Sequence, residues 1–398
     1  MLPLSVNVLD VRHGLCVAMR SPRRSFIYDC GNHQRYRHAI AGPALEVEAC
    51  FSPAIDTIAL SHLHYDHYSG FLQPRLRHLQ DVRRVLLARV PKFEDEPALR
   101  TDFLSRLLAW VPAVDHHSGP AEIDFMKRLV GNSPDARAVP LSAGESFQAA
   151  DREWNVLWPP AEVRLGNGKG VIERAVQAFD RAAKLNPRLA ELRLGAEQSE
   201  TYAQLVEDSA PADRTDGVVD LPFIDESSDD VEIYDGSRIK ASESDASPAD
   251  QALANAGEAL HEAANHLSLV VEQCNENDRP TVLLTGDAKK FSINRIFRDV
   301  GKREYQVVVT PHHGGERYVP NVVNNRSLAS KIWVSSGGGN YSSHISEKYD
   351  RLSGLHFRTD YHGDVRVRLG HETVSQIQTG NSLRHTAYLA DWPYRRFW

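Results

Sequence analysis

The chain has 398 residues, 41% hydrophobic and 25% charged, with a formal net charge of −7. This balance suits a soluble globular protein with a substantial core, and it argues against a chain disordered throughout or coated in basic surface. No stretch reaches the ~18 to 20 apolar residues of a membrane-spanning helix and no basic-then-apolar leader opens the sequence, so a cytoplasmic protein without membrane contact is expected.

In chain order, the first forty residues read as a β-meander: "LSVNVLDV", "CVAMR", the turn "SPRR", then "SFIYDCG", with Asp29 at the end of the third strand. "AIDTIAL" (Ala54 to Leu60) is an apolar run of strand length, and "VRRVLLARV" (Val82 to Val90) reads as another buried strand. "EPALRTDFLSRLLAWV" places Leu99, Phe103, Leu104, Leu107 and Leu108 on one helical face. "SAGESFQAADREWNVLWPP" reads as a hairpin closed by Pro159 and Pro160.

From about 166 to 264 the composition changes. "VIERAVQAFDRAAKL" and "PADQALANAGEALHEAA" have helical spacing, the second opened by Pro248 and Asp250. Between them, Glu207 to Asp250 holds 14 acidic residues against Arg214, Arg238 and Lys240, a local balance of −11. Such a segment is too polar to bury the apolar area that would offset ordering its backbone. A mobile acidic tongue is expected there, either competing with a polyanionic substrate or serving as a spacer. The expected organisation is therefore a β-rich body in two halves, 1–165 and 265–398, around a helical and acidic insertion at 166–264.

The strand pattern resumes with "HLSLVVEQ", "TVLLTGDA", "YQVVVTPHHGG", "KIWVSSGGGN", "GDVRVRL" and "ETVSQIQTG". The four cysteines, Cys16, Cys30, Cys50 and Cys274, have no CxxC spacing, which supports neither a zinc knuckle nor a disulfide framework.

Three strands end in loops rich in metal ligands. "SHLHYDHYSG" (Ser61 to Gly70) follows the apolar run "AIDTIAL" and holds His62, His64, Asp66 and His67. Asp287 stands in "LLTGDA", and His312 and His313 in "VTPHHGG". Imidazoles with a few carboxylates are what a transition-metal site needs, and a two-metal site needs one carboxylate between the ions. His13, His33, His116, His117, His356 and His362 join no such pattern and read as structural or solvated.

With HxHxDH followed by Gly-Asp and a later His, the chain resembles a metallo-β-lactamase-fold hydrolase. The stretches "LDVRHGLCVAM…SFIYDCG", "NHLSLVV", "TPHHGG" and "GGGNYSSHISEKYDRL…RTDYHGDVRV" look most like the hydrolase domain of DNA-uptake competence proteins and phosphorylcholine-esterase-like enzymes. The resemblance implies an α/β fold, an αββα sandwich carrying a helical and partly disordered insertion. It implies two divalent metal ions, Zn or Mn. His62 and His64 would hold the first ion, Asp66 and His67 the second, and Asp287 would bridge them. His313, with His312 as the alternative, would complete the second site and His266 the first, although His266 stands one place before the family's usual position and Asn265 or water is the alternative there. Asp29 would accept the other N–H of a ligating histidine. Asp66, His312 and His344 are the residues assigned to catalysis, His312 as the imidazole facing substrate and His344 as a histidine bordering the site.

The implied reaction is hydrolysis by a metal-bridging hydroxide, with phosphodiesters as the substrate class and DNA or RNA ahead of small esters. Arginines at 23, 24, 35, 37, 75, 77, 83 and 84 offer phosphate contacts for a nucleic-acid partner. A role in bacterial defence or DNA processing follows by analogy only. The rival reading is a non-catalytic, regulatory metal-binding subunit that docks a protein partner through the 166–264 insertion.

Overall fold

The computed structural model describes residues 3–32, 55–72, 82–114, 124–131, 133, 135–163, 167–207, 247–275, 277, 279–338, 344–370 and 373–380. The expected acidic tongue lies outside the described residues except for its ends, as do Cys50, His33, His116, His117, Arg35, Arg37, Arg75 and Arg77.

The strands are β1 (Leu4–Val8), β2 (Cys16–Arg20), β3 (Ser25–Cys30), β4 (Ile55–Leu60), β5 (Arg84–Ala88), β6 (Lys92–Phe93), β7 (Arg137–Leu141), β8 (Ser146–Ala149) and β9 (Arg152–Trp158). They continue as β10 (Glu162–Val163), β11 (Val270–Cys274), β12 (Pro280–Leu284), β13 (Arg303–Val309), β14 (Leu328–Ser335), β15 (Leu355–Arg358), β16 (Val365–Leu369) and β17 (Val374–Thr379). The helices used below are α1 (Tyr65–Tyr68), α2 (Pro97–Val114), α3 (Phe125–Val130), α4 (Asn167–Leu185), α5 (Pro187–Glu197), α6 (Glu200–Glu207), α7 (Pro248–His266) and α8 (Lys290–Asp299).

One sheet has the order β17-β16-β1-β2-β3-β4-β5-β7 and the other β15-β14-β13-β12-β11-β9-β8. In the first, pairing is antiparallel from β17 to β3 and parallel from β3 to β7. In the second it is parallel from β15 to β12 and antiparallel from β12 to β8.

Period-2 alternation decides which side chains meet between the sheets. Val6, Val8, Val17, Met19, Phe26 and Tyr28 of the first sheet pack on Trp154, Val271, Val282, Leu284, Val307 and Val334 of the second. Trp154 anchors this layer, its ring edge-on to Phe26 at 5.2 Å and stacked near Phe147 at 6.3 Å. The outer face of the first sheet, including Ile27, Ile58 and Leu60, packs against α2, α4 and α7 through Phe103, Leu107, Phe179 and Leu260. The outer face of the second sheet, including Leu283, Val308 and Trp333, packs against Ile293, Ile296 and Phe297 of α8. The result is four layers, α–β–β–α.

Helices α4 and α7 belong to the same apolar cluster as α2, so these parts of the 166–264 segment lie on the body. Pro248 at the first helical position and the Ser247 side chain accepting from Asp250 N start α7 where the sequence signals place it. The described cysteines Cys16, Cys30 and Cys274 are free thiols. Among the described residues, no helix is long and apolar enough to cross a membrane.

Candidate metal centre

Both sheets end their parallel strands at one place. The chain leaves β4 at Ser61 and turns into the short helix α1, presenting His62 and His64 just before the helix and Asp66 and His67 within it. The chain leaves β12 through Thr285 and Gly286 to Asp287, and leaves β13 through Thr310 and Pro311 to His312 and His313. Register sets the second group: Leu284 pairs in parallel with Val309, so the ends of β12 and β13 are level. His312 N then donates to Gly286 O at 3.0 Å.

The two loops are pressed together by the backbone. Leu269 N donates to Ser61 O at 2.7 Å, and Asp287 N to Ser268 Oγ at 3.0 Å. Gly286 has φ +50°, and a Cβ there would stand 2.3 Å from Ser61 Cβ, so only glycine permits this approach.

The donor atoms fall into three groups: His62, His64 and Asp287; His67, Asp287 and His313; and His13, Asp66 and His313. Within each, the atoms lie within 4.8 Å of one another. His62 Nε2 and His64 Nδ1 face each other at 2.7 Å, with Asp287 Oδ2 at 4.0 Å from His62 Nε2. The other oxygen, Asp287 Oδ1, lies 3.3 Å from His67 Nε2 and 3.6 Å from His313 Nε2. One carboxylate thus divides its oxygens between two sets of imidazoles. Asp66 Oδ2 approaches His313 Nε2 to 3.6 Å.

Asp29 lies beneath the cluster, fully buried, with φ 56°. Its Oδ1 accepts from Ser61 N at 2.7 Å and its Oδ2 from His67 Nδ1 at 2.8 Å. Held at Nδ1 by this carboxylate, the His67 ring is oriented with Nε2 aimed at Asp287. Of the seven described non-glycine residues at positive φ, four (Arg12, Asp29, His312 and His313) surround this site, which marks backbone strain held for side-chain placement.

The electrostatics suit a cation. Burial above all pushes His62 and His64 well below the ordinary histidine range, which favours the neutral rings a metal needs. Burial opposes ionisation of Asp287, but His312, His313 and His67 outweigh it and hold its carboxyl well below the usual range. Asp66 behaves alike, burial being outweighed by His67, His313 and His13. His67, although buried, is raised well above the ordinary value by Asp287, Asp29 and Asp66. His67 Nε2, Asp287 Oδ1 and His313 Nε2 are buried and make no hydrogen bond. These buried atoms converge from three strand ends with only loose ion-pair contacts among themselves, and a divalent ion would satisfy them together. The residues present fit a metal centre.

His266 does not join it. The expectation treated this stretch as a strand entry, whereas α7 runs through His266, and one residue along a helix turns a side chain by ~100°. His266 is in none of the three donor groups; it lines a hollow with Pro91, Phe93, Trp158, Pro160, Val163, Ile172 and Leu267, and its carbonyl accepts from Trp158 Nε1. Asn265 is buried, with an Oδ1 that makes no hydrogen bond. One turn earlier on the same helix, His261 brings its ring to 4.2 Å from that of His64. Sequence reasoning missed His261, which carries no motif, and His13, which lies in the β1–β2 connection and was read as structural or solvated.

His312 is half-buried, its Nδ1 3.4 Å from Asp287 Oδ2 and its ring stacked on Tyr318 at 3.6 Å. Lys289 Nζ lies 5.4 Å from the Tyr318 ring centroid. His344 is exposed and in none of the donor groups, on a segment joined to the histidine turn by the Gly315–Ile345 bridge. Of the arginines expected to meet phosphate, Arg24 pairs with Asp56 at 2.7 Å, and Arg84 donates to Thr57 Oγ1 and to the Gln148 carbonyl. Both have structural work.

The HxHxDH stretch and its supporting strands lie within a segment that a known family describes. Residues 9–125 match the family model "Metallo-beta-lactamase superfamily". Members of that superfamily are generally metal-dependent hydrolases that bind divalent ions, often zinc. The fold is of the metallo-β-lactamase type. Among solved structures, the metallo-beta-lactamase fold protein YhfI from Bacillus subtilis is 8% identical at a TM-score of 0.40, over 93% of this chain and 100% of that one. A metallo-beta-lactamase family protein from Thermus thermophilus, TTHA1429, is 22% identical at a TM-score of 0.21, over 39% of this chain and 51% of that one. No curated protein matches the chain.

Proposed function

We propose that the chain is a dinuclear-metal-dependent phosphodiesterase acting on nucleic acid, within a bacterial defence or DNA-processing system. The observation that carries this reading is the division of Asp287, Oδ2 toward His62 and His312 and Oδ1 toward His67 and His313. His62 and His64 would hold one ion, Asp66, His67 and His313 the other, with Asp287 between. Bound divalent ions supply Lewis acidity and lower the pKa of water toward neutrality.

The chain's own residues do the rest. Asp29 fixes the His67 ring so that Nε2 stays turned to the site. His312 is held at the mouth by its stack on Tyr318, where an imidazole can donate to a developing oxyanion or leaving oxygen. Lys289, beside Tyr318, adds a cation on the same side, which suits an anionic substrate such as a phosphodiester.

Metal analysis of purified protein, followed by digestion of single- and double-stranded DNA and RNA with added Mn²⁺ or Zn²⁺, tests the proposal. Cleavage of at least one polymer that stops on chelation and returns with metal is expected. Hydrolysis confined to bis(p-nitrophenyl) phosphate would move the substrate to small phosphodiesters, and two bound equivalents of metal without hydrolysis of any substrate would overturn catalysis.

A further inference from the structure

We propose that His13 is a metal-ligating residue of this centre, joining Asp66 and His313 at the ion position nearest the β1–β2 connection. The proposal rests on the reading that the cluster binds divalent ions. The resemblance assigns no ligand before the HxHxDH stretch.

The distances fit one ion. His13 Nε2 lies 3.9 Å from Asp66 Oδ2, which lies 3.6 Å from His313 Nε2. Donors bound at ~2.1 Å with near-tetrahedral angles stand ~3.4 Å apart, close to these two separations, and all three donor atoms lie within 4.8 Å of one another. The His13 and His313 rings are 5.1 Å apart, tilted at 45°.

The loop that carries His13 is fixed on both sides. Asp10 N donates to Asp364 Oδ1 at 2.7 Å, Arg12 N to Asp10 Oδ1 at 3.1 Å, and Ser336 Oγ to Gly14 O at 2.7 Å. Leu15 N donates to the carbonyl of Asp66 itself at 3.2 Å, so this one connection meets both the backbone and the carboxylate of a donor. A Cβ on Gly14 would stand 2.3 Å from Gly31 O and 2.8 Å from Asp66 O, so glycine is what lets the loop press in. Arg12 at φ 68° turns the chain just before His13.

These contacts pre-place the ring, which lowers the entropic cost of ligation. The side chains of His13 and Asp66 are 18% and 17% exposed, against 8% for His313, so His13 stands at the solvent side of the group. A third imidazole in place of water there biases the site toward zinc or iron and away from magnesium.

The test is titration of the apo full-length protein with Zn²⁺ and Co²⁺, comparing wild type with His13→Gln. We expect two equivalents in wild type, with the weaker-bound ion losing at least ~10-fold in affinity in the variant, a loss no smaller than that of a residue supporting a ligand. The apo form should melt at the wild-type temperature, with a smaller rise on adding metal. Should the variant not fold, diethyl pyrocarbonate labelling of the wild type with mass-spectrometric mapping decides: metal should protect His13. Two equivalents at wild-type affinity in the variant, or equal labelling of His13 with and without metal, would overturn the proposal. A wild type that binds no metal would overturn the metal centre itself.

Discussion

The two sheets are built alike and supply the site differently. Each is antiparallel at one edge and parallel at the other, and each delivers its donors from the carboxyl ends of parallel strands, where such sheets leave a crevice. The first sheet gives His62, His64, Asp66 and His67 from the end of one strand, a local chelate fixed by chain geometry. The second gives Asp287 from β12 and His312 and His313 from β13, which meet only because Leu284 pairs with Val309. A slip of one residue in that pairing would separate them. The first half of the site depends on local turn geometry, whereas the second depends on the packing of the whole sheet.

Removing the residue that joins the halves should have the largest effect. Asp287→Ala is expected to cut hydrolysis by at least ~10³-fold, several kcal/mol of barrier, because the ions lose the carboxylate between them. Circular dichroism should stay that of the wild type, since the strands build the core without this side chain. Asp66→Ala, in the helix that follows β4 of the first sheet, should lose one ion with a similar fall in rate. Full activity and two equivalents of metal in Asp287→Ala would refute the joining role.

A break between the sheets should appear as lost stability rather than as a direct loss of chemistry. Trp154 is fully buried between them, against Phe26 and Phe147. Trp154→Ala should cost about 3–5 kcal/mol, read as a lower denaturant midpoint. Because the second sheet's donors depend on that packing, metal affinity should fall as well. A variant with unchanged stability would show that the layer tolerates the cavity and would weaken the contrast between the halves.

Much of this was legible in the sequence. The HxHxDH run stands on one strand end, and the Gly-Asp and His-His elements follow apolar β-rich runs, so donor types and chain order announced the centre. What stayed hidden were histidines brought to the cluster by packing. His13 lies in the β1–β2 connection, and without that loop seated on Asp66 nothing marked it. His261 reaches His64 because α7 packs against the first sheet, a contact without a sequence signature. Asp29 was expected to support a ligand, and the structure places it on His67 rather than on any other imidazole.

That contact gives a sharper, smaller prediction. Asp29→Asn keeps the volume but removes the carboxylate that accepts His67 Nδ1–H, so the ring is no longer held in one tautomer. Metal affinity should fall by about 10–100-fold, with two equivalents still bound at high metal concentration. Isothermal titration reads this directly, and an affinity within twofold of wild type would mean that Ser61 and burial alone orient the ring.

The smallest effect is expected where sequence and structure disagree. The resemblance made His266 the third donor of the His62–His64 ion, but helix α7 continues through it and turns it to the hollow that Trp158 also lines. His266→Ala should therefore leave metal stoichiometry and affinity within about twofold of wild type, and cost roughly 1 kcal/mol of stability from lost packing. Asn265→Ala is the informative partner, because the Asn265 Oδ1 is buried without a hydrogen bond on the face one turn beyond His261. Weakened binding of one ion in Asn265→Ala alongside an unaffected His266→Ala would place the missing donor on that face of α7. Loss of a whole equivalent in His266→Ala would instead mean that the last turn of α7 unwinds on loading, swinging 266 from the hollow to the ion, and the helix end would then be part of the site's closure.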